Sequence, residues 1–139
     1  MKASNCDLRN MTAPSIADIE ELAQSAFATM PVEFRRLCEN VVIRVEDFPD
    51  DETLEAMNCE TEFDLLGLFR GYGRAQSPAT PLTGQLPNMI WLYRRPILDY
   101  WADHEETLGS LVAHVLVHEI GHHFGLSDED MRQIEQAVE

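Results

Sequence analysis

The sequence predicts a single α+β domain in which a small mixed sheet packs on one buried helix. Strand-like and helix-like segments are mixed along the chain without the βαβα rhythm of a doubly wound sheet. The chain has 139 residues, 45% of them hydrophobic, which is enough for one core. The segment that leads to His118 is apolar around nearly its whole helical circumference, as a buried helix is. We therefore predict one domain over 13–139, preceded by a flexible tail over 1–12.

The first part of the chain predicts three helices and a strand. Apolar residues recur at helical spacing from Ser15, and Pro31 ends that helix. A short second helix is expected over about 32–38. The β-branched run VVIRV (41–45) lies between turn-forming residues and predicts a strand. A brief helix over 51–57 follows it.

The middle of the chain predicts two more strands around a long loop. DLLGLFR (64–70) is the second strand, and MIWLYRR (89–95) is the third, ended by Pro96. A short helix through Trp101 follows. The intervening segment 71–88 holds three Gly and three Pro. A loop of this length in a small domain is usually functional or disordered.

The buried helix is predicted to begin near Glu105. Its leucines, valines and isoleucines point almost all round, and one narrow stripe is polar. That stripe consists of His114, His118 and His122, at four-residue steps. Buried histidines need polar partners, so a partner for this stripe is expected.

The charge of the chain excludes some classes of partner. With 25 Asp and Glu against 10 Lys and Arg, the net charge is −15, which repels nucleic-acid backbones and anionic membranes. The N-terminus has no apolar signal region, and no run of about 18 apolar residues could span a membrane. Cys6, Cys38 and Cys59 are odd in number and lack CxxC spacing. This favours a reducing cytoplasm over a disulfide framework.

The stretch HEIGHHFGLSD (118–128) has the spacing of a catalytic zinc site. Helical residues four apart lie about 40° apart around the axis and one turn along it, so His118 and His122 can bind one ion. Glu119 then points beside the ion rather than at it. From there it can act as the general base for water at an open coordination position.

The third ligand has two candidate positions. In one arrangement a Glu on a later helix completes the site, but the internal candidate, Glu135, lies close behind His122 and is expected to be too near. In the other, Gly125 takes the left-handed conformation that ends a helix, and Asp128 follows at the required offset. We favour Asp128. It can also lie in the first turn of a final helix capped by Ser127, and the two roles are compatible.

The other histidines are interpreted differently. His114 and His122 lie about 12 Å apart along the helix axis, whereas zinc–nitrogen bonds are about 2 Å long. One ion therefore cannot bind all three histidines of the stripe, and His114 is interpreted as a core or supporting residue. His123 is either a packing residue or a contact to the ligands or substrate. His104 lies in an exposed acidic stretch and is expected to be solvated.

These residues resemble the minimal zincin-like metallopeptidase family of small bacterial proteins. HEIGHHFGLSDEDM follows that family's pattern, as do LLGLFRGYGR, MIWLYRRPI and NVVIRVEDFP, so the resemblance spans about residues 15–138. It implies a compact α+β zincin-like fold and one zinc ion per chain, held by His118, His122 and Asp128. It also implies that Glu119 is the base of a peptidase acting on a peptide or protein.

The sequence departs from metzincins proper, whose longer motif carries a third His where this chain has Asp128. Their methionine turn lies well beyond the third ligand, whereas Met131 follows at once and falls in a predicted helix. The floor of the zinc site must therefore be built differently. The candidates for stabilising an oxyanion are Tyr93, Tyr100 and His123.

Three functions are compatible with the motif: a zinc-dependent peptidase, a zinc-stabilised protein-binding domain with little hydrolysis, and a nuclease-like relative that processes ribosomal RNA. The third is disfavoured by Glu119, which such proteins lack, and by the acidic charge. Structural zinc sites usually have four protein ligands. The three found here favour catalysis.

Substrate access is predicted along a strand. An extended peptide can add to a sheet edge, and 89–95 is the candidate strand, with 71–88 as a lid. The alternative is a disordered loop beside an ordinary core strand.

Overall fold

The computed structural model describes residues 8–38, 41–71 and 88–138. Its helices are α1 (Ile16–Ala28), α2 (Val32–Leu37), α3 (Asp51–Ala56), α4 (Arg94–Ala102), α5 (Leu108–His123) and α6 (Asp128–Val138). Its strands are β1 (Val41–Glu46), β2 (Gly67–Arg70) and β3 (Asn88–Tyr93). The predicted α+β class is confirmed. Among the described helices, none has both the length and the apolar character needed to cross a bilayer.

The sheet has the strand order β1-β3-β2. β1 pairs with β3 in parallel, and β2 pairs with β3 antiparallel. The expectation that 89–95 accepts an added strand is therefore wrong, because β3 is already paired along both edges. The outer strand that packs on α5 is β2. The proposed lid, except for its end residues Gly71 and Asn88, lies outside the described residues.

The predicted tail and domain boundary are only partly covered by the described residues. Residues 8–10 form a single 3-10 turn, closed by a hydrogen bond from the Met11 amide to the Leu8 carbonyl. The first seven residues lie outside the described part of the chain. The division into a tail over 1–12 and a domain over 13–139 stays a prediction.

Side-chain caps set several element boundaries. Ser15 and Asp18 form a capping box at the start of α1, with bonds of 2.9 and 3.0 Å. Thr107 caps α5 by accepting the Ser110 amide at 3.1 Å, so this helix begins three residues later than the expected Glu105. The first backbone N–H groups of a helix have no acceptor within the helix, and the Thr107 hydroxyl accepts one of them, so the helix begins after Thr107 rather than at the acidic residues before it.

Two strand boundaries differ from the prediction. β2 begins at Gly67 rather than at 64, because the Asp64 carboxylate accepts the Glu60 and Thr61 amides at 2.9 and 3.0 Å and holds a turn. β3 ends at Tyr93, before Pro96. Pro96 is buried in the first turn of α4, where its missing N–H leaves no bond unmade.

Helix α5 forms the centre of the core, as predicted. Eight of its residues are buried: Leu111, Val112, Ala113, Val115, Leu116, Val117, Ile120 and Gly121. Ile19 of α1, Ile90 of β3 and Ile97 of α4 belong to the same fully buried cluster. The burial of α5 on its apolar faces is the main stabilising contribution at the site.

The histidine stripe of α5 is not buried, contrary to expectation. His114 and His122 are exposed, and His118 is partly exposed. The elements packed on α5 cover its apolar faces and leave this polar stripe accessible. The site residues therefore lie at the surface of a buried helix.

A tight turn joins α5 to α6. Gly125 adopts a positive φ of 75°, and the Leu126 amide donates to the Gly121 carbonyl at 2.9 Å, which is a Schellman arrangement. Ser127 then accepts the Asp130 amide at 3.0 Å at the start of α6. The predicted left-handed Gly125 and the Ser127 cap are both confirmed. The turn brings α6 back against α5.

We expect Gly121→Ala to destabilise the fold, because α5 and α6 meet closely at this residue. A Cβ at 121 would overlap Met131 Sδ and stand 2.8 Å from Met131 Cγ. Overpacking of this kind costs about 1–3 kcal/mol. The matched control is Gly109→Ala on the same helix, where the nearest atom is Leu22 Cδ2 at 3.9 Å. Urea denaturation in the presence of a chelator measures both variants, and equal midpoints would contradict the prediction.

Candidate metal centre and active site

His118 and His122 are neighbours on the accessible stripe of α5. Their ring centroids lie 5.5 Å apart, with the ring planes at 82°. Both imidazoles thus face the same side of the helix, as the four-residue spacing predicts. Two adjacent imidazoles fit the start of a zinc site, since zinc takes nitrogen ligands from His.

Glu119 is partly buried between α5 and the outer strand. The Phe69 amide of β2 donates a hydrogen bond to its carboxylate, which lowers the pKa, but burial outweighs this and raises the pKa of Glu119 to about 7. The carboxylate is therefore held at the outer edge of β2. The role of Glu119 as a general base stays a prediction.

The register of the sheet explains why the Phe69 amide is available. The Tyr93 amide of β3 donates to the Leu66 carbonyl at 3.0 Å. In an antiparallel pair the backbone groups face the partner strand at every second residue, so those of Gly67 and Phe69 face outward. The Phe69 ring also packs on His123, with centroids 4.3 Å apart. Backbone and ring together fix β2 to the C-terminal turn of α5.

Asp128 is the first residue of α6 and is exposed. In the described part of the chain, one group of three metal-binding side chains has its ligand atoms within 4.8 Å of one another, and it consists of His114, His118 and Glu135. The structure thus brings His118 beside His122 but does not gather Asp128 with them at that distance. Ligation by Asp128 stays a prediction.

Glu135 is the residue that the sequence reasoning underestimated. Its Oε2 lies 2.9 Å from His118 Nε2, and its Oε1 lies 2.9 Å from His114 Nδ1. The expectation that Glu135 is too near His122 in sequence to be the third zinc ligand stays a prediction. Its carboxylate does reach His118, because the turn at Gly125 returns α6 along α5. His114 is not a core residue, although it has a partner. The predicted turn at Gly125 and Ser127 was the sequence feature that could have indicated that α6 returns along α5.

Charge and burial act together on His118. Burial lowers the pKa of His118, and the neighbouring His114 lowers it further, while Glu135 opposes both effects. A lowered pKa favours the neutral imidazole, which is the form that binds a metal ion.

The three candidates for stabilising an oxyanion lie in different surroundings. Tyr93 is buried, and burial, followed by the charges of Glu46 and Asp50, raises its pKa to about 12, with a further contribution from Glu119. Tyr100 stacks on His104 at 3.8 Å near the end of α4. His123 packs on Phe69.

The charge of Glu119 is the smallest of the contributions to the raised pKa of Tyr93. His104 is exposed as expected, but its Nδ1 also makes a 2.7 Å hydrogen bond with the Tyr100 carbonyl.

Met131 of α6 packs against α5. Its side chain is fully buried and lies against Gly121, a residue between His118 and His122 in the sequence. The expected difference from metzincins is thus observed, since this methionine is on a helix rather than in a separate turn.

Comparison with known proteins identifies the family. A family model described as zincin-like metallopeptidase matches residues 38–138. The chain belongs to the zincin-like metallopeptidase family. A solved structure, a conserved hypothetical protein from T. thermophilus, superposes with a TM-score of 0.50 at 22% identity, over 80% of this chain and 94% of that one. That likeness shows a shared fold and nothing further. No curated protein matches the chain.

We expect Asp128→Ala to weaken zinc binding at least about tenfold, because it removes a proposed ligand. The fold should tolerate the loss of this carboxylate, because the position is exposed. Glu129→Ala is the matched control: Glu129 is the next residue of α6 and its carboxylate bonds Arg132 and Gln133 instead. Asp130 is a poorer control, since it belongs to the Ser127 cap. Competition with a chromophoric chelator measures the affinity.

Equal affinity of the Asp128→Ala variant and the wild type would reduce Asp128 to a residue of the first helical turn. Elemental analysis of reconstituted wild type should find one zinc per chain. A zinc-free protein with His118 and His122 intact would contradict the metal assignment.

Proposed function

We propose that this protein is a zinc-dependent peptidase that hydrolyses a peptide bond in a peptide or protein substrate. His118, His122 and Asp128 would hold the zinc ion, and Glu119 would be the general base. The observation that carries the proposal is that Glu119, which directly follows His118 on α5, has its carboxylate bound to the Phe69 amide of the outer strand, while His118 and His122 pair on the accessible stripe. Membership of the zincin-like metallopeptidase family supports it.

The donor set fits zinc, since imidazole nitrogens and a carboxylate oxygen are its ordinary ligands. When bound, zinc would supply a Lewis acid that polarises the scissile carbonyl and makes water more acidic. Glu119 would take the proton from the attacking water and later give it to the leaving amine. Its partly buried carboxyl suits both steps, because the surrounding protein limits competition from bulk water.

Two rearrangements accompany zinc binding in this proposal. The Asp128 side chain is exposed, so packing does not fix its rotamer, and it would turn towards His122. Glu135 would release His118 Nε2 if that nitrogen is the ligand. Both changes involve side chains at the surface and leave the core unchanged.

The substrate would run along β2 rather than along β3. β2 is the outer strand, and its Gly67 and Phe69 backbone groups face away from β3. An extended peptide could pair as an added strand with the Gly67 groups and the Phe69 carbonyl, since the Phe69 amide already donates to Glu119. Glu119 already lies at this edge, so such a peptide would pass beside the proposed base.

A zinc-stabilised binding domain is the alternative function. Such a domain has no use for a general base or for an open coordination position. The presence of Glu119 directly after His118, together with three proposed ligands rather than four, therefore favours the peptidase.

We expect Glu119→Gln to lower peptidase activity by about 10²- to 10⁴-fold, because it removes the basic oxygen and preserves the side-chain shape. Zinc affinity and thermal stability should stay near those of the wild type. Glu105→Gln, the same change at an exposed position before α5, is the control and should retain full activity. The assay first needs a substrate, found by digesting a broad peptide library with the zinc-loaded protein.

Equal cleavage by the Glu119→Gln variant and the wild type would remove Glu119 from the chemistry. If the zinc-loaded wild type cleaves nothing in the library, the binding-domain function is favoured instead.

A further inference from the structure

The clearest unassigned feature is the cluster of His114, His118 and Glu135. One ligand atom from each lies within 4.8 Å of the others, and the two carboxylate oxygens of Glu135 each lie 2.9 Å from a different imidazole. The rings of His114 and His118 have centroids 4.0 Å apart, and their planes are tilted by 32°. Neither His114 nor Glu135 belongs to the proposed peptidase site.

We propose that His114, His118 and Glu135 form a second position for a divalent transition-metal ion such as Zn²⁺, which shares His118 with the peptidase site. Two imidazole nitrogens and one carboxylate oxygen are a donor set that such ions accept.

The helix packing fixes this second position. Met131 meets Gly121 where α6 contacts α5. One turn later on α6, Glu135 reaches His118 and His114, which lie one and two turns back along α5. The two helices therefore run in opposite directions, and this places the carboxylate over the imidazole pair without any long loop.

The cluster is accessible to an ion from solution. The side chains of His114, His118 and Glu135 are 48%, 26% and 26% exposed. Three protein ligands leave room for water in the remaining coordination positions. A cavity of about 410 Å³ between α1, α5 and α6 also reaches Glu135. An ion would thus enter the cluster without opening the core.

The two metal positions exclude each other at His118. His114 and His122 lie about 12 Å apart along the helix, so one ion cannot contact both. His118 Nε2 faces Glu135, and the two positions exclude each other where both use this nitrogen, because a ring nitrogen binds one ion at a time. An ion held by His114 and Glu135 would therefore deprive His122 and Asp128 of their shared partner, and it would hold zinc outside the peptidase site.

The test uses the full chain with the peptidase site removed by the double substitution His122→Asn and Asp128→Asn. Both positions are exposed, so the fold should persist, which circular dichroism checks. Isothermal titration with Zn²⁺ alone should still find one ion per chain. Adding Glu135→Gln or His114→Gln to this background should weaken binding at least about tenfold. Adding Glu129→Gln, an exposed carboxylate on the same helix, should change it less than twofold.

A second measurement identifies the ligands directly. Zn²⁺ added to the double variant should shift the imidazole ¹⁵N resonances of His114 and His118. The proposal is overturned if the double variant binds no Zn²⁺, if Glu135→Gln has no larger effect than Glu129→Gln, or if the His114 resonances do not move. These results do not depend on peptidase activity, so the failure of the proposed function would leave the test intact.

Discussion

Helix α5 is buried on every side but one, and the rest of the structure depends on that constraint. Its apolar faces contact α1, the sheet and α4, so three layers of the domain meet on a single helix. A polar group on those faces would lose its water without gaining a partner, at a cost of roughly 1–3 kcal/mol by protein mutational data. The remaining stripe is where polar side chains are tolerated. The histidines occupy it at four-residue steps.

Helix α6 completes the environment of that stripe. The left-handed Gly125 reverses the chain within a few residues, and the contact of Met131 with Gly121 sets the distance between the two helices. An acidic helix is thereby laid beside a row of imidazoles. The pairing of Glu135 with two histidines follows from this placement, and it makes α6 part of the site rather than a terminal appendage.

Glu119 is the exception to the separation of apolar and polar faces on α5. Its carboxyl is partly buried, which disfavours ionisation, and a backbone amide from β2 partly offsets that cost. The contact requires an outer strand, since a strand paired on both sides has no amide to offer. The environment of Glu119 therefore depends on the strand order β1-β3-β2, which makes β2 an outer strand.

The sequence by itself determined what local spacing encodes: the α+β class, the buried helix, the neighbouring His118 and His122, and the Gly125 and Ser127 turn. Helical periodicity and capping involve residues only a few positions apart, so a short stretch of sequence is enough to predict them. Only the tertiary structure decided that β3 is central, that the histidine stripe is accessible, and that Glu135 lies with His114 and His118. Those features join segments far apart in the chain. They depend on which faces pack together, and no local pattern carries that information.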